Sequence, residues 1–227
     1  MSKNLFITGT GTDVGKTYVT GLVIKKLRES GENAAYYKAA MSGNERRADG
    51  SLIPGDALSV KEVSGIVQPL EEMCPYIYEN AYSPHLAARI EGGPVELPVV
   101  LDGFRKVGEA YDYVTVEGSG GILCPIRYDG EKIMLEDVIK ALDLSCLLVA
   151  DAGLGTINSV VLTVTYMRAR NIPVVGMIFN RFHPGDVMEE DNIRMCEELT
   201  GLQTFARVRE GDRELRMEAE VLRALYN

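Results

Sequence analysis

Short apolar runs alternate with helix-length stretches along most of the chain. Residues 5–8, 34–37, 113–116, 146–150 and 174–179 are apolar and often β-branched, so each reads as a buried strand. A glycine loop follows the first run, and residues 17–30 then carry a helical pattern. Strands that are apolar on both faces and separated by helices predict βαβ units around a parallel sheet. The expected fold class is therefore α/β, with a parallel sheet and helices on both faces, and the loop after the first strand, which ends in Gly15-Lys16-Thr17, makes that sheet one of the P-loop NTPase type. Residues 41–53 are polar and predict an exposed loop, and 91–98 read as a connection. Neither is long enough to divide the chain into separate domains, so the whole of 1–227 is expected to be one domain.

Composition narrows the classes. The 227 residues include 24 Lys and Arg against 33 Asp and Glu, a net charge of −9. A protein that binds nucleic acid through phosphates would show the opposite balance, so no nucleic-acid partner is expected. With 46% hydrophobic residues the chain can bury a large core without disulfide or metal staples. The four cysteines, Cys74, Cys124, Cys146 and Cys196, form no Cys-x-x-Cys pair, which excludes zinc-ribbon and thioredoxin-like motifs. His85 and His183 lie far apart, so a histidine zinc site is not expected. No apolar run nears the roughly 20 residues of a membrane span. No signal-peptide pattern opens the chain, and a cytoplasmic protein with no membrane partner is expected.

The chemistry gathers at the carboxyl ends of the predicted strands. Gly9-Thr10-Gly11-Thr12-Asp13-Val14-Gly15-Lys16-Thr17 lies between a strand and a helix, the setting a phosphate loop needs. Backbone N–H groups and the Lys16 ammonium would cradle phosphates there, with the Thr17 hydroxyl on Mg²⁺. The first glycine of the generic pattern should fall at Thr10, yet Gly9 stands one residue early. Lys38 ends the second strand and lies on the same sheet edge, either as a cation for a reacting anion or as a solvated lysine. Glu117 ends the third strand ahead of Gly118-Ser119-Gly120, as a Mg²⁺ ligand or an acidic turn residue. Asp56 is a weaker candidate for the same metal and reads otherwise as the N-cap of a helix beginning at Ala57.

Further along, Gly155-Thr156-Ile157-Asn158 opens a helix and could receive a carboxylate or merely cap that helix. Asn180-Arg181 ends the fifth strand, where the Asn180 amide could read a nucleobase edge or sit in a turn. A guanine reader would carry aspartate three residues on. Position 183 is histidine, which favours adenine. Ser83-Pro84 predicts a helix start with Ser83 as N-cap, leaving His85 structural or substrate-lining. Residues 214–223 read as a C-terminal helix of balanced charge, without a basic membrane-docking face.

Taken together, these stretches resemble the ATP-dependent dethiobiotin synthetase family. The resemblance runs from Thr8 to Arg181 and includes Lys38 with Ser42-Gly43, Ser83-Pro84-His85-Leu86-Ala87-Ala88, and Glu117-Gly118-Ser119-Gly120-Gly121. The early glycine is itself a habit of that family. The resemblance implies ATP- and Mg²⁺-dependent closure of a ureido ring. Diaminopelargonate (7,8-diaminononanoate) takes up CO₂ as a carbamate, ATP phosphorylates it, and the second amine closes the ring. Lys16 and Lys38 would be catalytic, and Thr17, Asp56 and Glu117 would hold Mg²⁺. Nucleotide would be bound by Asp13, Val14, Gly15, Lys16, Thr17 and Tyr18 of the loop. Asp56, Glu117, Gly118, Ser119 and Gly120, with Asn180 and Arg181, would complete that site. Thr12, Lys38 and Ser42 would touch the diamine. The family implies a homodimer with its active site at the subunit interface, so that Gly155, Thr156, Ile157 and Asn158 of a second copy receive the substrate carboxylate.

Three positions depart from the family habit. Ala39 stands where proline commonly follows the lysine, Ser119 replaces a frequent alanine, and 205–209 lacks the usual proline near the base. The rival class is a ParA- or MinD-like ATPase switch. Those proteins carry a signature lysine early in the loop, whereas positions 9–12 here are Gly, Thr, Gly and Thr. A cobyrinate-type amidotransferase would need a glutaminase domain, and too few residues follow Arg181.

Overall fold

The computed structural model describes residues 2–227. In chain order the elements are β1 (Lys3–Gly9), α1 (Lys16–Glu29), β2 (Ala34–Lys38), α2 (Gly55–Ser64), α3 (Pro84–Glu91), α4 (Leu97–Ala110), β3 (Tyr113–Glu117), β4 (Pro125–Tyr128) and β5 (Lys132–Met134). They continue as α5 (Leu135–Ala141), β6 (Cys146–Asp151), α6 (Thr156–Ala169), β7 (Val174–Asn180), α7 (Val187–Thr200), β8 (Thr204–Arg207) and α8 (Ala219–Arg223). Six strands form one sheet in the order β2-β3-β1-β6-β7-β8, and every adjacent pair is parallel. The expected α/β parallel sheet is therefore present.

Why these runs make central strands is visible in their burial. Leu5 and Ile7 turn toward a layer formed with Leu22, Val23 and Leu27 of α1 and Leu222 of α8. Phe6 turns to the other face, against Val114, Val116 and residues of α4 and α5. Leu148, Ala150, Met177 and Phe179 pack beneath α6 and α7. Each such Leu, Ile, Val, Met or Phe side chain, buried on a two-sided sheet, contributes on the order of 1.5–3 kcal/mol. The strand order reverses at β1, which has β3 on one side and β6 on the other. Ligand sites in open α/β sheets form at that reversal, outside the carboxyl ends of the strands.

Three local expectations need correction, and a fourth, Ser83 as the N-cap of α3, holds in position but not in its hydrogen bond. The C-terminal helix is confined to Ala219–Arg223. Leu215 and Met217 are both buried two positions apart, so 214–218 follows a bent, non-helical path, with Met217 N–H donating to Leu215 O at 2.9 Å, and cannot turn helically without exposing one of them. Asp56 is not an N-cap. Pro54 holds that position, and Asp56 sits in the first turn of α2 with its carboxylate aimed at Lys38. The 41–53 loop is exposed only toward its tip, because Met41 and Asn44 are buried. Its base is docked by an Asn44 amide bond to the Tyr78 carbonyl at 2.8 Å. Ser83 precedes α3 as expected, but its hydroxyl faces His85 Nδ1 at 2.9 Å and makes no capping bond.

Candidate active site

The early glycine has a steric reason. A Cβ on Gly9 would stand 2.9 Å from both Lys16 Cδ and Val14 Cγ2, so the lysine stem needs the space that glycine leaves. Thr10 meets no such demand. Its backbone N–H donates to Val149 O at 3.1 Å and continues the sheet pattern. Gly15, at φ 85°, turns the loop into α1 in the left-handed region, and a side chain there would collide with the Asn180 amide. Lys16 is buried and donates to Gly11 O at 2.7 Å across its own loop.

Beyond the loop, four elements converge on one charged cluster. Register places Lys38 of β2 directly opposite Glu117 of β3, on the sheet face that α1 and α2 cover. Lys38 Nζ donates to Glu117 Oε1 at 2.8 Å and to Asp56 Oδ2 at 2.7 Å. Thr17 Oγ1 donates to the same Glu117 oxygen at 2.9 Å and reaches Asp56 Oδ1 at 3.4 Å. Burial opposes the Lys38 ammonium, but Glu117 and Asp56 outweigh it and hold its pKa above the ordinary lysine value. Burial and the nearby Lys38 charge push Lys16 the other way. Burial would likewise raise the Asp56 pKa, yet the Lys38 charge beside it wins and lowers it. Two lysines and two acids within one site are costly unless each is paired; Lys38, Asp56 and Glu117 pair with one another, while Lys16 is held only by the Gly11 carbonyl.

This cluster forms the floor of a cleft of about 980 Å³. Of the residues expected from sequence, Thr12, Asp13, Gly15, Lys16, Thr17, Tyr18, Lys38, Ser42, Asp56, Glu117, Ser119, Gly120 and Arg181 line it. Val14, Gly118 and Asn180 stand behind the wall. The Asn180 amide donates to Val14 O at 3.1 Å and braces the loop, while Gly118 packs against Phe6 and Leu135. Arg181 ties the opposite rim, donating to Asp151 Oδ2 at 2.9 Å and to Asp13 O at 2.7 Å. Tyr18 donates to the Asp212 carbonyl. Gly155, Thr156, Ile157 and Asn158 open α6 but do not line this chain's cleft.

Cys124, Ala81 and Tyr82 also line the cleft, although no sequence signal points to them. They sit in irregular segments, where neither periodicity nor a motif marks them. Burial pushes the Cys124 thiol up to about 11, so it stands in the wall as a neutral group. Among the described residues, no helix is long and apolar enough to cross a membrane.

A family model described as an AAA domain matches residues 3–213. ATP-dependent dethiobiotin synthetase BioD of Brachyspira hyodysenteriae is 50% identical over 212 residues, covering 93% of this chain and 94% of that protein. The chain belongs to the ATP-dependent dethiobiotin synthetase family. The family's enzyme from Clostridium perfringens strain 13 is 45% identical over 208 residues, covering 92% of this chain and 91% of its own length. Among solved structures, the MinC:MinD cell division protein complex of Aquifex aeolicus superposes with a TM-score of 0.58 at 13% identity. That match covers 93% of this chain and 83% of the other. A ParA family ATPase from Chlorobium tepidum gives 0.54 at 15%, covering 92% and 84%. At such identities these two likenesses speak for the fold alone.

Proposed function

We propose that this cleft carries out ATP-dependent dethiobiotin synthesis, with chain 1–227 acting as one synthetase domain. The reaction joins 7,8-diaminononanoate, CO₂ and ATP to give dethiobiotin, ADP and phosphate. One amine takes up CO₂ as a carbamate. A carbamate oxygen attacks the γ-phosphorus and ADP leaves. The second amine then attacks the carbamoyl carbon, phosphate departs, and the ureido ring is closed. The observation that carries this reading is the shared Lys38 ammonium, held between Asp56 and Glu117 at the mouth of the phosphate loop.

Phosphoryl transfer asks little covalent chemistry of a protein and much positioning of charge. Lys16 sits where it can leave Gly11 O for a phosphate oxygen, and the N-terminal amides of α1 point at the same place. Lys38 is mobile in a chemical sense, because its two acidic partners can be satisfied by another cation. The donor set of Thr17 hydroxyl, Asp56 and Glu117 consists wholly of oxygens, which suits Mg²⁺. Mg²⁺ bound there would neutralise phosphate charge. Lys38, released from the two acids, would turn to the carbamate and the transferring phosphoryl group. Thr12 and Ser42 are read as diamine contacts, and Asn180 with Arg181 as flanking the base.

A homodimer belongs to the same proposal. The Gly155–Asn158 helix start of a second copy would supply the carboxylate site, since this chain's own copy does not line its cleft. Leu154, 90% exposed beside that helix start, and Leu162, 60% exposed on α6, offer apolar surface for such a contact. A cytoplasmic location goes with this reading and is supported by the scattered spacing of the four cysteines. The test is one incubation with diaminononanoate, bicarbonate, Mg²⁺ and ATP, read by mass spectrometry. Dethiobiotin is expected only when all four are present, and replacing ATP by GTP should lower its yield. ATP hydrolysis without that product would overturn the assignment.

A further inference from the structure

Glu117 has a third partner that the proposed chemistry does not use. Tyr36, fully buried on β2, donates its hydroxyl to Glu117 Oε2 at 3.0 Å, whereas Thr17 and Lys38 both donate to Oε1. Register explains the reach. Tyr36 lies opposite Thr115 and Lys38 opposite Glu117, so the phenol crosses to Glu117 along the diagonal of two parallel strands. Tyr36 is itself held in an uncommon way. It lies on the edge strand of the sheet, and one side-chain amide takes both of its backbone groups. Tyr36 N–H donates to Gln68 Oε1 at 2.8 Å, and Gln68 Nε2 donates to Tyr36 O at 3.1 Å. Gln68 is fully buried, and its own carbonyl accepts from Lys61 Nζ at 2.7 Å.

We propose that Gln68 and Tyr36 act as one positioning unit for Glu117, fixing which carboxylate oxygen faces the cleft. This rests on the reading of Glu117 as a metal ligand. A carboxylate gripped only at Oε1 would lose one of its two anchors whenever Lys38 turns to the substrate, and its terminal torsion is soft. The phenol holds the far oxygen throughout. Being a neutral donor, it does so without bringing a cation that would compete with the metal. The Gln68 amide replaces a neighbouring strand and so keeps Tyr36 from shifting along the edge. Groups that orient a metal ligand in this manner commonly change affinity by roughly 10–100-fold when removed.

The test measures Mn²⁺ binding to the full chain in the presence of ADP, by electron paramagnetic resonance, in Tyr36→Phe, Gln68→Met and Glu117→Gln. Tyr36→Phe is expected to weaken Mn²⁺ about tenfold and Gln68→Met about threefold. Metal-free ADP affinity and the KM for diaminononanoate should stay within about twofold, a split that general loosening of the fold would not produce. Mn²⁺ affinity within about twofold of the parent in both variants, with Glu117→Gln impaired, overturns the positioning role and leaves Glu117 as a ligand. Unchanged affinity in Glu117→Gln itself overturns the ligand reading and this proposal with it. If Tyr36→Phe does not fold, Gln68→Met decides by the same thresholds.

Discussion

Two buried glutamates in this molecule are built from nearly the same components. Glu117 and Glu136 are each at most 3% exposed, and each accepts from a tyrosine hydroxyl and from a lysine ammonium. Around Glu136 the principal cation is Arg170, whose Nη2 and Nε lie 2.6 and 3.1 Å from Oε1. Tyr166 adds a bond of 2.8 Å to Oε2 and Lys140 one of 3.4 Å to Oε1. The Arg170 hydrogen bonds hold the Glu136 carboxyl down at about 2, so it stays ionised. A planar guanidinium makes a fixed fork with a carboxylate, and none of these groups borders the cleft. The pair locks α5 to α6. At Glu117 the cation is a compact ammonium shared with a second acid, and the cluster opens on about 980 Å³ of space. Burial and charge alone would single out both glutamates. On the proposed function, what separates a working site from a clamp is an exchangeable partner and room for something to exchange with.

The contrast can be broken most sharply at the two cations. Lys38→Gln should lower turnover by at least about 10³-fold while ATP binding changes little, measured by product formation and by nucleotide titration. Arg170→Gln should leave turnover at 25 °C close to the parent value, and a comparable loss there would erase the distinction. Next in size, Asp56→Asn should raise the free Mg²⁺ needed for half-maximal rate by roughly tenfold or more, read from a metal titration at saturating ATP. Glu136→Gln should instead cost about 2 kcal/mol of stability. For a chain of this size that is about 4–8 °C in Tm, seen by calorimetry, with the Mg²⁺ requirement unmoved.

The smallest effect is one of acidity. Glu136 moves from an ordinary value of 4.5 when unfolded to about 2 when folded. Its contribution is thus complete above 4.5 and fades as the pH falls toward 2. The stability gap between the parent and Glu136→Gln should narrow over that window and stay flat above it. A gap that persists at the acid end would point to packing in place of charge.

Much of this arrangement is legible in the chain itself. Five of the six sheet strands are apolar runs because both of their faces are covered, and such runs need no structure to be seen. β8 escapes because Thr204–Arg207 is short, mixed and at the sheet edge, where one side chain meets solvent and another the core. The phosphate loop, Lys38 and Glu117 are legible because strand ends in an open α/β sheet share one rim. Tyr36 and Gln68 are not. Tyrosine inside a buried strand looks like core, and Gln68 sits among residues with no periodic pattern. Its role depends on two backbone groups 32 residues away in sequence. The 214–223 stretch misleads because its composition suits a helix while the burial of both Leu215 and Met217 demands a non-helical path through 214–218.

The Gln68 clamp also bears on how the molecule behaves in a crowded solution. An outermost strand presents unpaired N–H and C=O groups that invite the strand of another chain to add on. At the centre and the carboxyl end of β2, three of those groups are already occupied. Gln68 takes both at Tyr36, and the Met73 carbonyl accepts from the Lys38 N–H at 2.8 Å. The segment that includes Gln68 and Met73 therefore works as a cover on the sheet, made from side-chain and loop atoms in place of a seventh strand. Once that cover lifts, the exposed border would be a strongly apolar one, Ala34-Ala35-Tyr36-Tyr37, and neighbouring molecules could pair along it before they refold.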